Sequence, residues 1–417
     1  MVPVHKPGQS MVEWVSRRKG ADMNSSVTMG LLTSLIASGV VCSVAVHASE
    51  DAQGRMGKQI DAIVGPVMER HNVPGLAVGI TIDGNHHFFN YGLASKEDGQ
   101  EVDEDTLFEI GSLSKTFTAT LAAYAQVTGA LALADPASKH VPELAGTSFD
   151  DISVLQLGTY SAGGLPLQVP ADVTEDTLVK YYRHWQPEYE PGSYRRYSNP
   201  SIGLFGHIAA KSMGMSFDDL MENKLFPMLG LTSTYINVPR SRMNAYASGY
   251  NREFEPVRVN PGVWDSEAYG VKTSTSDMLT YLDANMSGAG LEPKLHRAVT
   301  LTQIAHFRVG EMLQGLGWEM YEYPTNLDKL LTGNSAEVMF KPKIVEKLSA
   351  PPPSRGTYLI NKTGSTDGFG AYAVFVPMNQ TGVVILANKN YPIPDRVSMG
   401  YKILNVLPEL GNRAADD

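Results

Sequence analysis

The chain has 417 residues, of which 43% are hydrophobic and 19% are charged. This balance is typical of a globular protein with a sizeable core, built as one large domain or two small ones. The net charge of −10 argues against nucleic acid as a partner, because binding to phosphates needs clustered Lys and Arg.

The first 48 residues are typical of a leader that does not belong to the fold. A basic run at 16–19 precedes an apolar stretch over 29–46, and residues 46–48 have the small-x-small form of a cleavage site. We therefore predict a signal peptide cleaved after Ala48, a periplasmic location, and a single mature unit over 49–417 without stable membrane association. The alternative is an uncleaved membrane anchor, since the apolar stretch is near the lower length limit for a span.

Both ends of the mature unit carry strand patterns. A helix is predicted over 53–71, and two strands at 75–82 and 86–91 are joined by Asp83-Gly84, a strong hairpin signal. Near the C-terminus, three further strands and a closing helix are predicted at 358–362, 371–376, 382–387 and 397–407. These elements indicate an α/β (α+β) fold in which one antiparallel sheet forms from both chain ends and is covered by helices.

The middle of the chain is mostly helical by its pattern. Helices are predicted at 112–127, 174–185, 200–212, 216–225 and 276–285. We expect a helical subdomain, mainly 112–285, inserted into an α/β subdomain built from about 49–111 and 340–417. A cleft between two such subdomains is a common place for a ligand site.

The first segment with a chemical signature is S-L-S-K at 112–115. Residues three apart share a face of a helix, so Ser112 and Lys115 can touch. A serine hydroxyl becomes a useful nucleophile when a neighbouring group takes its proton or lowers the barrier to losing it. The same pattern occurs at 16–19 in the leader, so the segment alone fits a helix cap with a solvated lysine equally well.

Two further triplets follow, Y-S-N at 197–199 and K-T-G at 362–364. The Tyr197 phenol can act as a general base if positive neighbours lower its pKa, and Asn199 offers donors and an acceptor for an amide. Lys362 supplies positive charge and Thr363 a hydroxyl for a carboxylate. Chance rivals occur at 235–237 and 272–274, so the value of the triplets lies in their joint order and spacing.

The strand end after Lys362 suggests a binding role for the backbone. Gly364 has no side chain, which lets a ligand approach the main chain there. The N–H of Ser365 is available to help bind an oxyanion.

The order S-x-x-K, Y-S-N, K-T-G resembles the class C β-lactamases, the serine cephalosporinases. The resemblance runs from about residue 58 to 407, and is carried by the segments 73–80, 107–125, 160–170, 197–206, 268–274, 314–319, 361–377 and 385–392. It implies hydrolysis of β-lactam antibiotics, with cephalosporins preferred, through a serine acyl-enzyme. It also implies a small-molecule substrate, no cofactor and a monomer.

The resemblance implies a role for each matching residue. Ser112 is the implied nucleophile, with Lys115 as its hydrogen-bonded activator and Tyr197 as the base for acylation and, through a water, for deacylation. The N–H groups of Ser112 and Ser365 form the implied oxyanion hole. The remaining implied roles are substrate-amide binding by Gln168 and Asn199, contact beside the substrate side chain by Tyr269, electrostatic positioning of Tyr197 by Lys362, and substrate binding near the carboxylate by Thr363, Gly364 and Arg396.

Two positions depart from the family pattern. Ile393 stands where many relatives have Asn, so a polar contact to the substrate carboxylate is missing. Asp367 replaces a common Asn or Gly, and we interpret it as a turn residue. Neither departure affects the groups implied in acylation.

Other functions on the same scaffold stay open at this point. A D-alanyl-D-alanine peptidase or a small-ester esterase shares the serine, lysine, tyrosine and K-T-G groups, although the segments 167–170 and 268–270 favour the lactamase. A penicillin-binding sensor would acylate Ser112 and stop. The one cysteine, Cys42, lies in the leader and the ten histidines are interpreted as structural or surface residues, so no metal site is expected.

Overall fold

The computed structural model describes residues 34–348 and 357–413, with side chains over 53–348 and 357–407. The chain divides into two compact units after Asp51, and the second, Ala52–Asp417, is the one considered below. Of the predicted leader, residues 1–33 lie outside the described part, and the described remainder is helical.

The described part contains strands and helices in alternating blocks. The strands are β1 (Gly75–Ile82), β2 (Asn85–Ser95), β3 (Gln100–Glu101), β4 (Phe108–Glu109), β5 (Tyr194–Arg195), β6 (Thr234–Tyr235), β7 (Gly249–Tyr250), β8 (Pro256–Val257), β9 (Lys272–Thr273), β10 (Phe307–Val309), β11 (Met312–Gln314), β12 (Glu319–Glu322), β13 (Lys343–Ile344), β14 (Glu346–Lys347), β15 (Tyr358–Ser365), β16 (Gly370–Val376) and β17 (Thr381–Ala387). The α-helices are α1 (Ser34–His71), α2 (Ser114–Thr128), α3 (Ala137–His140), α4 (Val154–Gly158), α5 (Glu175–His184), α6 (Asn199–Ser212), α7 (Phe217–Leu220), α8 (Phe226–Met228), α9 (Asp265–Ala268), α10 (Thr275–Met286), α11 (Pro293–Thr302), α12 (Leu327–Gly333), α13 (Ala336–Phe340) and α14 (Ile393–Arg413).

A ten-stranded antiparallel sheet forms the centre of this unit. Its strand order is β14-β10-β11-β12-β15-β16-β17-β1-β2-β3. The strands from the two ends of this unit meet where β1 pairs with β17, and Leu76 lies opposite Ala387. The prediction of one antiparallel sheet formed from both chain ends is therefore confirmed. At the predicted hairpin, Asp83 and Gly84 both have positive φ, as a two-residue turn of the I′ type requires.

The central strands are apolar along their whole length because both faces of the sheet are covered. The face that carries Leu76 and Val383 packs in one hydrophobic cluster with Ile60 of α1 and Val397 of α14. Alternate residues such as Ala77 and Val384 belong to the other cluster, which is shared with α2 and α10. Strands buried on both faces form continuous hydrophobic runs without alternation.

Three more strands of the sheet, β10–β12, come from residues 307–322. This part of the chain lies outside both segments predicted to form the α/β subdomain. β10, β11 and β12 extend the sheet beyond β15, and β12 pairs with β15 with Glu319 opposite Asn361. These strands are only three or four residues long. A run of that length is too short for a period-two pattern to be recognised.

The helices of the middle region begin and end close to where they are predicted, with two local differences. The helix predicted from Ser112 begins with a 3₁₀ turn, Gly111–Leu113, before α2. The helix predicted over 216–225 consists of α7 followed by a π-helical turn, Met221–Leu225. Within the described ranges, none of the helices is both long enough and apolar enough to cross a membrane.

Candidate active site

The turn that carries Ser112 is held against the end of β15 by close backbone contact. Gly111 has φ +50, and a Cβ at this position would lie 2.5 Å from the backbone N and O of Ser365. Only glycine accepts both this left-handed conformation and this proximity without strain. The turn therefore places Ser112 beside the backbone of the strand that also carries Lys362.

Lys115 lies one turn below Ser112 and touches it, as the helical spacing predicts. The Nζ of Lys115 donates to Ser112 Oγ at 3.0 Å and to the carbonyl of Ala268 at 2.7 Å. The side chain is completely buried. Burial, assisted by the nearby charge of Lys362, lowers the pKa of Lys115 to about 8, although Tyr197 opposes the shift.

Tyr197 lies between two buried ammonium groups. Its ring centroid is 5.1 Å from the Nζ of Lys115 and 5.2 Å from the Nζ of Lys362. Burial by itself would raise the pKa of Tyr197, but the charges of Lys115 and Lys362 outweigh it and hold the pKa below its ordinary value. The hydroxyl is buried and forms no hydrogen bond of ordinary geometry with the described residues. A lowered pKa increases the fraction of phenolate, and the phenolate is the form that can receive a proton.

Lys362 and Thr363 lie in the part of β15 that is still paired with β16 but no longer with β12. The pairing between β12 and β15 ends at Asn361, whereas β16 stays paired as far as Ser365. The edge of residues 362–365 that β12 does not cover faces the turn of Ser112, since a Cβ on Gly364 would lie 1.8 Å from the carbonyl oxygen of Ile110. The absent side chain of Gly364 therefore makes room for the protein's own backbone at Ile110, and the approach of a ligand to Gly364 stays a prediction.

A cavity of about 440 Å³ opens above these groups. It is lined by all the predicted site residues except Lys115 and Arg396, namely Ser112, Gln168, Tyr197, Asn199, Tyr269, Lys362, Thr363, Gly364 and Ser365. No binding or catalytic role is predicted from the sequence for the other lining residues, which are Leu167, Arg258, Val259, Asn260, Met339, Phe340, Thr366, Asp367 and Ile393. Of these, Asp367 and Ile393 stand out in the sequence as departures from the family pattern, and Leu167 lies in the segment 167–170 that favours the lactamase.

Asn199 presents a free acceptor on the wall of this cavity. Its backbone N–H donates to the carbonyl of Leu167 at 2.9 Å, which joins the start of α6 to the segment that carries Gln168. Its Oδ1 is buried and has no hydrogen-bond partner among the described residues. A buried acceptor without a partner is costly, so this atom is available to a ligand N–H.

Arg396 lies behind the strand end and does not line the cavity. It is fully buried, and its Nη1 donates to the carbonyl of Gly364 at 2.6 Å and to Ser365 Oγ at 2.9 Å. Its Nη2 donates to Asn390 Oδ1 and to the carbonyl of Tyr391. The start of α14 thus places Arg396 beneath the backbone of residues 364–365, where it supports the strand end.

A buried ion pair behind Tyr197 had no assigned role in the sequence analysis. Arg195 Nη2 donates to Glu319 Oε1 at 2.9 Å, and Arg195 Nε donates to Gln314 Oε1 at 2.7 Å. The guanidinium carbon lies 5.6 Å from the centroid of the Tyr197 ring. Gln314 and Glu319 lie opposite each other across the β11–β12 pair, whereas Arg195 is distant from both in the chain, so no local spacing relates the arginine to its partners.

The arrangement combines a serine hydroxyl, a hydrogen-bonded ammonium, a phenol between two positive charges and a backbone strand edge. These are the parts of a site for acyl transfer through a serine nucleophile. In the described ranges there is no group of three or more His, Cys, Asp and Glu side chains that would hold a metal ion.

Comparisons with known proteins identify the family to which the chain belongs. The β-lactamase family model matches residues 60–407. A β-lactamase of Pseudomonas fluorescens is 51% identical over 352 residues, which cover 84% of this chain and 98% of that protein. A crystal structure of a β-lactamase/D-alanine carboxypeptidase from Pseudomonas syringae has 47% identity and a TM-score of 0.83, covering 85% of this chain and 99% of that one.

A crystal structure of a class C β-lactamase in complex with cefoxitin aligns equally well. It has 46% identity and a TM-score of 0.83, and it covers 85% of this chain and 99% of that chain. The chain therefore belongs to the β-lactamase family and is a class C β-lactamase, a hydrolase of β-lactams.

Proposed function

We propose that the enzyme opens the β-lactam ring through an acyl-enzyme formed on Ser112. The Oγ of Ser112 bonds to the lactam carbonyl carbon, Tyr197 takes the hydroxyl proton, and the proton passes to the ring nitrogen as the C–N bond breaks. Water, activated by Tyr197, then hydrolyses the ester and restores Ser112. The observation that carries this proposal is the hydrogen bond of 3.0 Å from Lys115 Nζ to Ser112 Oγ, beside a phenol held between two ammonium groups.

The oxyanion that forms during each step needs hydrogen-bond donors placed in advance. We propose the backbone N–H groups of Ser112 and Ser365 for this role. The close approach of Gly111 to the Ser365 backbone supports the proposal, because it brings the two segments together before a substrate arrives.

We propose that four further residues lining the cavity bind the substrate. Gln168 and Asn199 bind the amide of the acyl side chain, Tyr269 lies beside that side chain, and Thr363 binds the carboxylate. The partnerless Oδ1 of Asn199 supports the first of these. Arg396 is proposed to position the substrate-binding strand end through its contacts with Gly364 and Ser365. Cephalosporins are proposed as the preferred substrates.

The nucleophile is tested by nitrocefin hydrolysis and by mass spectrometry. We expect Ser112→Ala to abolish turnover, because no other group replaces the attacking oxygen. With a slowly hydrolysed β-lactam, the wild type is expected to carry one adduct, located on Ser112 by peptide mapping. Undiminished turnover in the alanine variant, or an adduct on another residue, would contradict the mechanism.

The base is tested by Tyr197→Phe, which removes only the hydroxyl. We expect kcat to fall by about 10²-fold or more, the usual contribution of a general base, with the thermal unfolding midpoint retained. An unchanged kcat would assign the base to Lys115 or to another group.

A second activity, D-alanyl-D-alanine carboxypeptidase, is favoured by one observation. The Pseudomonas syringae structure, 47% identical to this chain, is described as both β-lactamase and D-alanine carboxypeptidase. We propose to test it by measuring D-alanine release from a peptide ending in D-Ala-D-Ala, with a small ester as a third substrate. A protein that releases at most one equivalent of product from a β-lactam would instead be a sensor.

We further propose that the enzyme is an exported, periplasmic monomer cut after Ala48. The basic run, apolar stretch and small-x-small site of the first 48 residues support this. The intact mass of the protein from the periplasmic fraction tests the cleavage site, and sedimentation tests the monomer. A full-length mass in the membrane fraction would indicate an uncleaved anchor.

A further inference from the structure

The rim of the active-site cavity carries two opposite charges from different segments. Arg258 follows β8, and Asp367 lies in the turn between β15 and β16; both are exposed and both line the cavity. No ion pair joins them, or pairs either with another charge, in the part of the chain with described side chains. Each charge is therefore available to a ligand.

The guanidinium of Arg258 is fixed in place. It lies 4.0 Å over the ring of Tyr246, and its Nη2 donates to the carbonyl of the same residue at 2.7 Å. A stacked and hydrogen-bonded guanidinium loses less rotamer freedom when it binds an anion than a free side chain would.

A single buried carboxylate connects the two charged segments. Glu109 Oε1 accepts from the Val259 N–H at 2.7 Å and from the Tyr246 hydroxyl at 2.6 Å. Its Oε2 accepts from Thr366 Oγ1 at 2.5 Å. Because Val259 follows Arg258 and Thr366 precedes Asp367, this carboxylate fixes the backbone beside each charge.

Arg258 and Asp367 line the same cavity as Tyr269. Asn260 also lines it, and a Cβ on Gly262 would lie 3.2 Å from the Tyr269 hydroxyl, so the loop that follows Arg258 passes close to Tyr269. We propose that Arg258 and Asp367 determine which charge the enzyme accepts on the acyl side chain of its substrate. This rests on the proposed binding of the acyl amide by Gln168 and Asn199. Asp367 then does more than form the turn that its sequence position indicates.

Three penicillins that differ only in the substituent on the α-carbon of the phenylacetyl side chain, and hence in its charge, test the proposal. Benzylpenicillin is neutral there, ampicillin carries an ammonium, and carbenicillin carries a carboxylate. The assays are run below the α-amino pKa of about 7.7, so that ampicillin is charged. For each variant, kcat/KM for the charged substrates is divided by its own value for benzylpenicillin.

We expect Asp367→Asn to lower the relative value for ampicillin and to raise that for carbenicillin, each about two- to fivefold, which is the effect of one partly solvated charge contact. Arg258→Gln is expected to have the opposite effects, and Arg258→Lys to restore the wild-type ratios in part. These shifts should shrink in about 1 M salt, where charges are screened within a few ångströms. Asp151→Asn, the same change at an exposed site outside the cavity lining, should leave the ratios unaltered.

Ratios that change by less than twofold in both Asp367→Asn and Arg258→Gln would overturn the inference. So would shifts of the same sign in the two variants, or equal shifts in Asp151→Asn. Loss of the Ser112 adduct, by contrast, would overturn the proposed mechanism and not the charge selection. A variant with an unchanged thermal unfolding midpoint excludes misfolding as the cause of any shift.

Discussion

Lys115 shows how position changes the chemistry of an ordinary side chain. On a helix surface it would be a solvated cation, but here it is completely buried and its Nζ donates to both Ser112 and the carbonyl of Ala268. Burial disfavours the charged form and lowers the pKa to about 8. The proposed activation of Ser112 by Lys115 thus comes at a cost in stability, as is common at active sites.

This cost predicts the pH dependence of stability in Lys115→Met. The pKa of Lys115 is about 8 in the folded chain and 10.5 ordinarily, so between these values the unfolded chain binds more protons and wild-type stability rises with pH. Below pH 8 the full penalty for burying the charge applies, and methionine has none. The free energy of unfolding of Lys115→Met relative to wild type should therefore fall by about 2.5 kcal/mol from about pH 6 to pH 10.

Urea unfolding at a series of pH values measures this difference. The same substitution at the exposed Lys294 is the control for the loss of an ammonium as such. A difference for Lys115→Met that does not vary with pH would show that the folded chain does not disfavour the charged lysine.

At the scale of elements, the site depends on how β15 meets the turn before α2. The two are joined by backbone proximity, with Gly111 against Ser365 and Gly364 against Ile110. Arg396 of α14 holds the same strand end from behind through the Gly364 carbonyl. The strand, the turn and the closing helix are thus in direct contact at the site.

Gly364→Ala tests this coupling. The new Cβ would lie 1.8 Å from the carbonyl oxygen of Ile110, so the strand and the turn must separate. We expect a loss of about 1–3 kcal/mol in the free energy of unfolding, as for other overpacked sites. We also expect kcat to fall by about 10²-fold, since a shift of about 1 Å misplaces Ser112 and Lys362.

Gly65→Ala, in an open position on α1, serves as the matched control, because nothing lies within 4 Å of its added methyl group. It should retain wild-type kcat. An unaffected kcat in Gly364→Ala would mean that the strand end can move without disturbing the site.

At the scale of the whole described unit, a buried ion pair links the segment before α6 to the main sheet. Arg195 and Glu319 are 1% and 6% exposed, and Arg195 also donates to Gln314 and to the carbonyl of Val338. A second Arg–Glu pair, Arg308–Glu322, ends on the same strand β12 but is open to solvent. Comparing variants of the two pairs therefore separates the effect of burial on stability from the effect of charge.

We expect Glu319→Gln to lower the free energy of unfolding by about 3 kcal/mol or more, because it leaves the Arg195 charge buried without its counter-ion. Glu322→Gln should cost less than about 1 kcal/mol, as for exposed pairs. Denaturant unfolding of the two variants measures both values. Equal losses would contradict a special role for the buried pair.

Much of the fold was predictable because it depends on local pattern. The strands at both chain ends and the main helices have the length and periodicity that identify such elements. The short strands β10–β12 escaped prediction because three or four residues carry no period, and they are held in place by pairing with β15.

The candidate site divides in the same way between sequence and structure. The order and spacing of the triplets at Ser112, Tyr197 and Lys362 identified the family. They also predict the chemistry, since helical spacing places Ser112 beside Lys115 and residue type limits what each group can do. Only the tertiary structure decided that Gly364 makes room for Ile110, that Arg396 supports the strand end, and that Glu109 joins the two charged segments of the rim. Those contacts join residues far apart in the chain, and their geometry follows from how the elements pack, which no local periodicity encodes.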